Sequence, residues 1–171
     1  NCGNCTIGKS MIVINDTTAP TFINCPAPIT QECSDALPAI AEGIMAEDNC
    51  IGDVTVNYVG EESETDGCTT WITRTWEAID ACGNRSECNQ VITLIDTTNP
   101  VFNDYDHYIS TECDVEPEWP TATDNCDTDV TITISGEVLN SGGCLGVLAR
   151  TYRATDNCGN YTEIVQYIAL L

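Results

Sequence analysis

Positive charge is nearly missing from this chain. Only 5 of its 171 residues are Lys or Arg, against 27 Asp or Glu, which leaves a formal net charge of -22. A surface of that sign repels phosphate backbones and anionic headgroups, so nucleic acid and acidic membranes are excluded as partners. Histidine is reduced to His107, and no nucleophile, base and orienting group can be assembled around it. Carboxylate pairs are plentiful, but they recur at turns rather than in a cleft, and phosphate-cradling glycine loops are absent. No enzyme is expected. No apolar run approaches the roughly 20 residues of a membrane-spanning helix, so this segment carries no membrane span. A signal peptide is also missing, which agrees with a piece of a longer secreted chain.

What the chain does have is a repeat, with a period of about 80 residues. Asp16-Thr-Thr-Ala-Pro20 returns as Asp96-Thr-Thr-Asn-Pro100, Glu32-Cys33 as Glu112-Cys113, and Asp48-Asn-Cys50 as Asp124-Asn-Cys126. Gly67-Cys68 returns as Gly143-Cys144, and Asp80-Ala-Cys-Gly-Asn84 as Asp156-Asn-Cys-Gly-Asn160. The opening Asn1-Cys2-Gly3-Asn4 matches the Cys-Gly-Asn of both repeats. Residues 1–15 are therefore expected to be the last strand of a preceding repeat, with repeat 1 at 16–95 and repeat 2 at 96–171. Modules of this size bury little and need staples. The 12 cysteines supply them and put the protein outside the cell, at the surface or secreted, where disulfides persist.

Apolar residues alternate with polar ones. Val54–Tyr58, Thr69–Trp76, Val91–Leu94, Val130–Ile134 and Ile164–Ile168 read as strands, with Gly, Asn, Asp and Pro between them. The best helix signal is the Ala-rich Leu37–Ala46, whose counterpart Glu116–Thr123 holds Pro117 and Pro120. The expected fold class is all-β: tandem immunoglobulin-like sandwiches stapled by disulfides. A strand from Thr69 to Asp80 would separate Cys68 from Cys82 by roughly 40 Å, whereas bonded cysteines need Cα atoms within about 7 Å. Chain alternation between the poles of a sandwich puts Cys33 and Cys68 at one end and Cys50 and Cys82 at the other. The expected bonds are Cys33–Cys68, Cys50–Cys82, Cys113–Cys144 and Cys126–Cys158. Cys25 and Cys88 align with Tyr105 and Ile164, and their joint absence from repeat 2 pairs them with each other. Cys2 and Cys5 either bond locally or find a partner upstream; with no histidine nearby, zinc or redox chemistry is not expected of them.

The same pole argument gathers carboxylates at the start of each repeat: Asp16, Asp48 and Asp80 at the first, Asp96, Asp124 and Asp156 at the second. Hard oxygen donors at this density suit Ca2+, which takes six to eight of them. Asn49, Asn125 and Asn157, or Glu61, Glu62, Glu64 and Asp66 of the opposite pole, complete the candidate shell. The competing reading makes these aspartates turn formers on a soluble surface. Trp76 and Tyr152 share a face with Ile72, Leu148, Ala78 and Ala154 and are assigned to the core. Arg74 and Arg150 lie on that face too, each needing a carboxylate partner. Trp71 and Trp119 have no aromatic counterpart, which leaves local packing or an exposed ligand contact. Strands 6–14 and 164–170 are read as edges able to pair with another chain.

Asp16-Thr-Thr-Ala-Pro20, Phe22, Asn24-Cys-Pro26, Glu47-Asp-Asn-Cys50, Thr73-Arg-Thr-Trp76 and Asp80-Ala-Cys-Gly-Asn84 together resemble the hyalin-like (HYR-like) repeats of very large secreted adhesins of gliding and other Bacteroidetes-type bacteria. The resemblance covers essentially the whole chain; repeat 2 departs from it in lacking Cys25-Pro26 and Cys88. It implies an immunoglobulin-like fold and a stalk or adhesive role, with neighbouring repeats as partners and a surface glycan or protein as the alternative ligand. It also implies O-glycosylation at Thr17 and Thr97, within Asp-Thr-Thr. Asn4, Asn15, Asn84 and Asn160 stand in N-x-Ser/Thr sequons, the eukaryotic alternative.

Overall fold

The computed structural model describes residues 3, 8, 9, 11, 13, 15–113, 115–140 and 145–171. Among them every regular element is a strand. In repeat 1 these are β1 (Thr21–Phe22), β2 (Ile29–Glu32), β3 (Ala46–Glu47), β4 (Thr55–Asp66), β5 (Thr69–Ile79) and β6 (Arg85–Ile95). Repeat 2 returns them as β7 (Val101–Phe102), β8 (Tyr108–Thr111), β9 (Ala122–Thr123), β10 (Thr131–Asn140), β11 (Gly146–Thr155) and β12 (Tyr161–Leu170). Each repeat has a four-stranded sheet, β2-β6-β5-β4 or β8-β12-β11-β10, and a two-stranded one, β1-β3 or β7-β9. The protein is an all-β, disulfide-stapled, immunoglobulin-like sandwich fold. The sheet closes on a parallel pair, Ile29 opposite Ile92 and Ile109 opposite Ile168.

β5 shows why these residues make a strand. Its β-branched and aromatic residues alternate, and burial alternates with them: Ile72, Arg74, Trp76 and Ala78 are buried while their neighbours are half-exposed. On β11 the same positions bury Arg150, Tyr152 and Ala154. Ile92 on β6 and Ile168 on β12 are fully buried, Ile168 in register with Leu148 of β11. Two buried glutamines fasten the long strand to the preceding loop, Gln90 Nε2 donating to the Ala27 carbonyl at 3.0 Å and Gln166 Nε2 to the Asp106 carbonyl at 2.9 Å.

Two sequence expectations need correction. Leu37–Ala46 forms no helix: Ile23 N–H donates to the Met45 carbonyl at 2.8 Å, Asn24 Nδ2 donates to the Gly43 carbonyl at 2.9 Å, and Ala46 opens β3. Glu61, Glu62, Glu64 and Asp66 lie on the last residues of β4, which runs to Asp66. Strand 164–170 is no free edge, because β12 is hydrogen-bonded to β11 on one side and β8 on the other. The strand expected over 6–14 falls largely outside the described residues.

Contacts divide the chain into two compact units. One gathers residues 1–27, 40–61 and 74–90, and holds the core around Trp76, Ala78 and Cys88. The other gathers 28–39, 62–73 and 91–171, so the ends of β4, β5 and β6 and all of β2 belong with repeat 2.

Candidate functional site

The β5–β6 and β11–β12 turns are built around an aspartate. Asp80 Oδ1 accepts the backbone N–H groups of Cys82 and Asn84, both at 2.8 Å, and Oδ2 accepts Asn84 Nδ2 at 2.7 Å. Asp156 repeats this with Cys158 at 2.9 Å and Asn160 at 2.8 Å. Gly83 and Gly159 take φ of 91° and 86°, a region side chains avoid, which explains the glycine in both motifs. Burial pushes the Asp80 carboxyl up, but the bonds from Asn84, Cys82 and Gly83 outweigh it and hold the group below its usual value. Both oxygens of Asp80 and of Asp156 are thus committed to their turns. The Asn84 and Asn160 amides are committed as well, each also reaching back 3.3 Å to a carbonyl, of Asp16 and Asp96 respectively.

Asp16, Asp48, Asp96 and Asp124 are bonded differently. Each uses Oδ1 for a local turn: Asp16 with Thr18 N–H at 3.0 Å, Asp96 with Thr98 at 3.1 Å, and Asp48 and Asp124 with Cys50 and Cys126 at 2.8 Å. The second oxygens of Asp48, Asp96 and Asp124 are buried with no hydrogen-bond partner. Leaving such a group unsatisfied costs about 1–3 kcal/mol, more when it is charged. Burial raises the Asp96 carboxyl; Thr98 N–H opposes this, and the negative charges of Asp124, Asp156 and Glu32 add to the rise. Potential ligand atoms of Asp16, Asp48 and Cys50 lie within 4.8 Å of one another, as do those of Asp96, Asp156 and Cys158. Asp80 lines the same small cavity as Asp16 and Asp48. The site aspartates expected from sequence therefore converge on each repeat start.

Three of the seven supplementary residues make side-chain contacts of their own. Asn125 Nδ2 donates to Ser34 Oγ at 2.8 Å, Asn157 Nδ2 to Asp127 at 3.0 Å, and Glu61 pairs with Arg74 at 3.1 Å. Sequence reasoning missed Glu32. Its carboxylate accepts Thr97 N–H at 2.8 Å, Thr97 Oγ1 at 3.0 Å and Thr98 Oγ1 at 2.8 Å, and these bonds, the backbone one foremost, lower its carboxyl. The recurrence of Glu-Cys at 112–113 was the available signal. Thr97, one of the two candidate glycosylation sites, is exposed but spends its hydroxyl on Glu32; Thr17 is exposed.

Cys25–Cys88 forms as expected, while two other disulfides differ. Cys33 is bonded to Cys126, not to Cys68, and Cys68 to Cys158, with Cα separations of 5.9 and 5.3 Å. All four line one depression with Gly67, Asp96 and Asp127, within the compact unit that holds repeat 2. Cysteines that share a pole do not pair within a repeat; those of repeat 1's Glu-Cys and Gly-Cys bond the Asp-Asn-Cys cysteines of repeat 2. Cys50 and Cys82, expected to bond each other, are free thiols. Burial raises the Cys50 thiol first, with Asp16, Asp48 and Cys82 adding to it. Cys25 is joined to Cys88, tying the β1–β2 connection to β6. Cys113 is disulfide-bonded; Cys144, Cys2 and Cys5 lie outside the described residues.

No family model matches the chain, and no curated protein is similar to it. Among solved structures, human CDH23 EC21-23 is 16% identical with a TM-score of 0.41, covering 90% of this chain and 70% of that one. Protocadherin gammaB7 EC3-6 is 10% identical at 0.42, and Drosophila N-cadherin EC1-4 is 14% identical at 0.35. The chain spans 52% and 50% of those two structures.

Away from the aspartates the buried cations are all accounted for. Arg150 reaches Glu116 and Glu137, and burial, which lowers its pKa, is outweighed by Glu116, Tyr152 and Glu137. Trp119 packs edge-on against Tyr152 with ring centres 5.5 Å apart, yet keeps 45% of its surface exposed. It lines a groove with Tyr105, Asp104, Asp106 and Glu118.

Proposed function

We propose that this chain is a run of structural modules from an extracellular stalk or adhesin, each repeat locked to the next by a pair of disulfides. The observation that carries this is the crossing of both bonds, Cys33–Cys126 and Cys68–Cys158, from one sequence repeat to the following one. Such bonds persist only in an oxidising compartment and serve a protein that bears load or holds a fixed spacing. Repeat boundaries at 16–95 and 96–171, and a parent of the hyalin-like adhesin type, possess the same support: the motifs and their spacing. Non-reducing proteolysis with mass spectrometry tests it. Crosslinked peptides joining Cys33 to Cys126 and Cys68 to Cys158 are expected; Cys33–Cys68 and Cys126–Cys158 would return each repeat to independence and sink the reading.

Calcium is the finer part of the proposal. The orphaned, buried oxygens of Asp48, Asp96 and Asp124 fit a divalent cation, with Asp16 completing the pair in repeat 1. Asp80 and Asp156 fit less well, because both of their oxygens already serve a turn. Bound Ca2+ would supply charge neutralisation, and the aspartates would hold it in place. Chelator should lower the melting temperature; an unchanged melt leaves the aspartates as turn formers.

A second reading rests on the exposed groove of Trp119 and Tyr105 flanked by acidic side chains, an arrangement suited to stacking a sugar. Binding of the chain to a glycan array, lost in Trp119→Ala, is its test.

A further inference from the structure

Repeat 1 presents at its own start the half-interface that repeat 2 uses. Cys126 and Cys158 follow aspartates whose Oδ1 accepts their N–H at 2.8 and 2.9 Å; Cys50 and Cys82 are held by Asp48 and Asp80 in the same way, both at 2.8 Å. In repeat 2 three further contacts surround the bonds: Thr97 and Thr98 meet Glu32, and Asn125 meets Ser34. Thr17, Thr18 and Asn49 stand at the matching positions of repeat 1, exposed as Thr97, Thr98 and Asn125 are. Cys82 is exposed where Cys158 is half-buried, and Ile51 stands wholly in solvent where its counterpart Asp127 is half-buried. Cys50 and Cys82 remain free although they line one concave patch with Ile51.

We propose that the pole of repeat 1 bearing Cys50 and Cys82 is a covalent docking site for another module of this repeat type, one that presents Glu-Cys-Ser and Gly-Cys as residues 32–34 and 67–68 do. The inference rests on the reading of repeats locked by paired disulfides and extends it to a partner that the two repeats here do not supply. Each bond forms by thiol–disulfide exchange with a small disulfide such as oxidised glutathione. The exposed Cys82 thiolate attacks it and displaces one glutathione thiolate; the incoming module's thiolate then attacks the mixed disulfide and displaces the second. Two protein thiols are oxidised and one glutathione disulfide is reduced to two glutathiones. Cys50, less exposed than Cys82, follows once Cys82 has positioned the module.

The experiment extends the 171-residue chain with an in-register copy of residues 16–95 placed before Asp16, folds it in a glutathione redox buffer and maps its disulfides without reduction. Expected are crosslinks from Cys50 to the added copy of Cys33 and from Cys82 to the added copy of Cys68, with both thiols lost to alkylation. A second extended chain, with Ser replacing those two added cysteines, should keep Cys50 and Cys82 alkylatable, and the Cys25–Cys88 crosslink reports that repeat 1 has folded. A Cys50–Cys82 bond, or two alkylated thiols beside intact Cys33–Cys126 and Cys68–Cys158, overturns this inference alone. Absence of those two native crosslinks overturns it together with the locked-repeat reading.

Discussion

Asp80 and Asp96 belong to two different recurring motifs, Asp-x-Cys-Gly-Asn and Asp-Thr-Thr, and their carboxyls shift in opposite directions. Asp80 is held down by its turn bonds against the pull of burial. Its contribution is present above the unfolded carboxyl pKa of about 3.9 and is lost as pH falls through the lower, folded value. Urea midpoints should therefore drop on the acid side of about pH 4, and Asp80→Asn, which sets an amide against the Asn84 amide, should lower stability at neutral pH and flatten that limb. Asp96 is raised by burial and by its carboxylate neighbours. Its protonated form is favoured in the fold, so its stabilising effect is full at low pH and is lost as pH rises through the folded value. Without calcium at pH 7, Asp96→Asn should raise the melting temperature, on the order of a few °C. The same variant should no longer respond to added calcium if Asp96 is a ligand, which calorimetry with and without chelator reads directly.

Strand β5 carries its burial in a two-residue rhythm, and one substitution tests how much depends on it. Trp76→Ala empties a buried site against Tyr58, 5.4 Å away between ring centres, and should cost about 3–5 kcal/mol in chemical unfolding. Arg150→Met keeps the stem within the core face and leaves Glu116 and Glu137 half-exposed, so its cost should be much smaller. At the turns, Gly83→Ala and Gly159→Ala force a side chain into φ near +90° and should each lose about 1–2 kcal/mol. The strands and turns were legible because β-branched alternation and Asp-x-Cys-Gly-Asn act locally. Leu37–Ala46 was not, because bonds to Ile23 and Asn24, distant in sequence, override its alanine-rich propensity.

At the scale of the molecule, cysteine pairing governs the response to reduction. Reductant should lower the melting temperature of the native chain more than that of Cys33→Ser/Cys126→Ser, which has one fewer bond to lose, since a bond closing so long a loop contributes roughly 4–5 kcal/mol in the chain-entropy model. The Cys68–Cys158 bond spans 90 residues and should behave alike. Near-ultraviolet circular dichroism, followed as glutathione is varied, separates loss of the crosslink from loss of the sandwich.

The amino-acid sequence by itself determined the repeat, the all-β class, the core positions Trp76 and Tyr152, and the poles at which the cysteines and aspartates gather. Those are consequences of period, propensity and turn chemistry, all of which operate over a few residues. Only the tertiary structure decided which cysteines meet and which carboxylate oxygens stay unbonded. Pairing depends on which pole faces which, and an oxygen is orphaned only when packing removes water without supplying a donor.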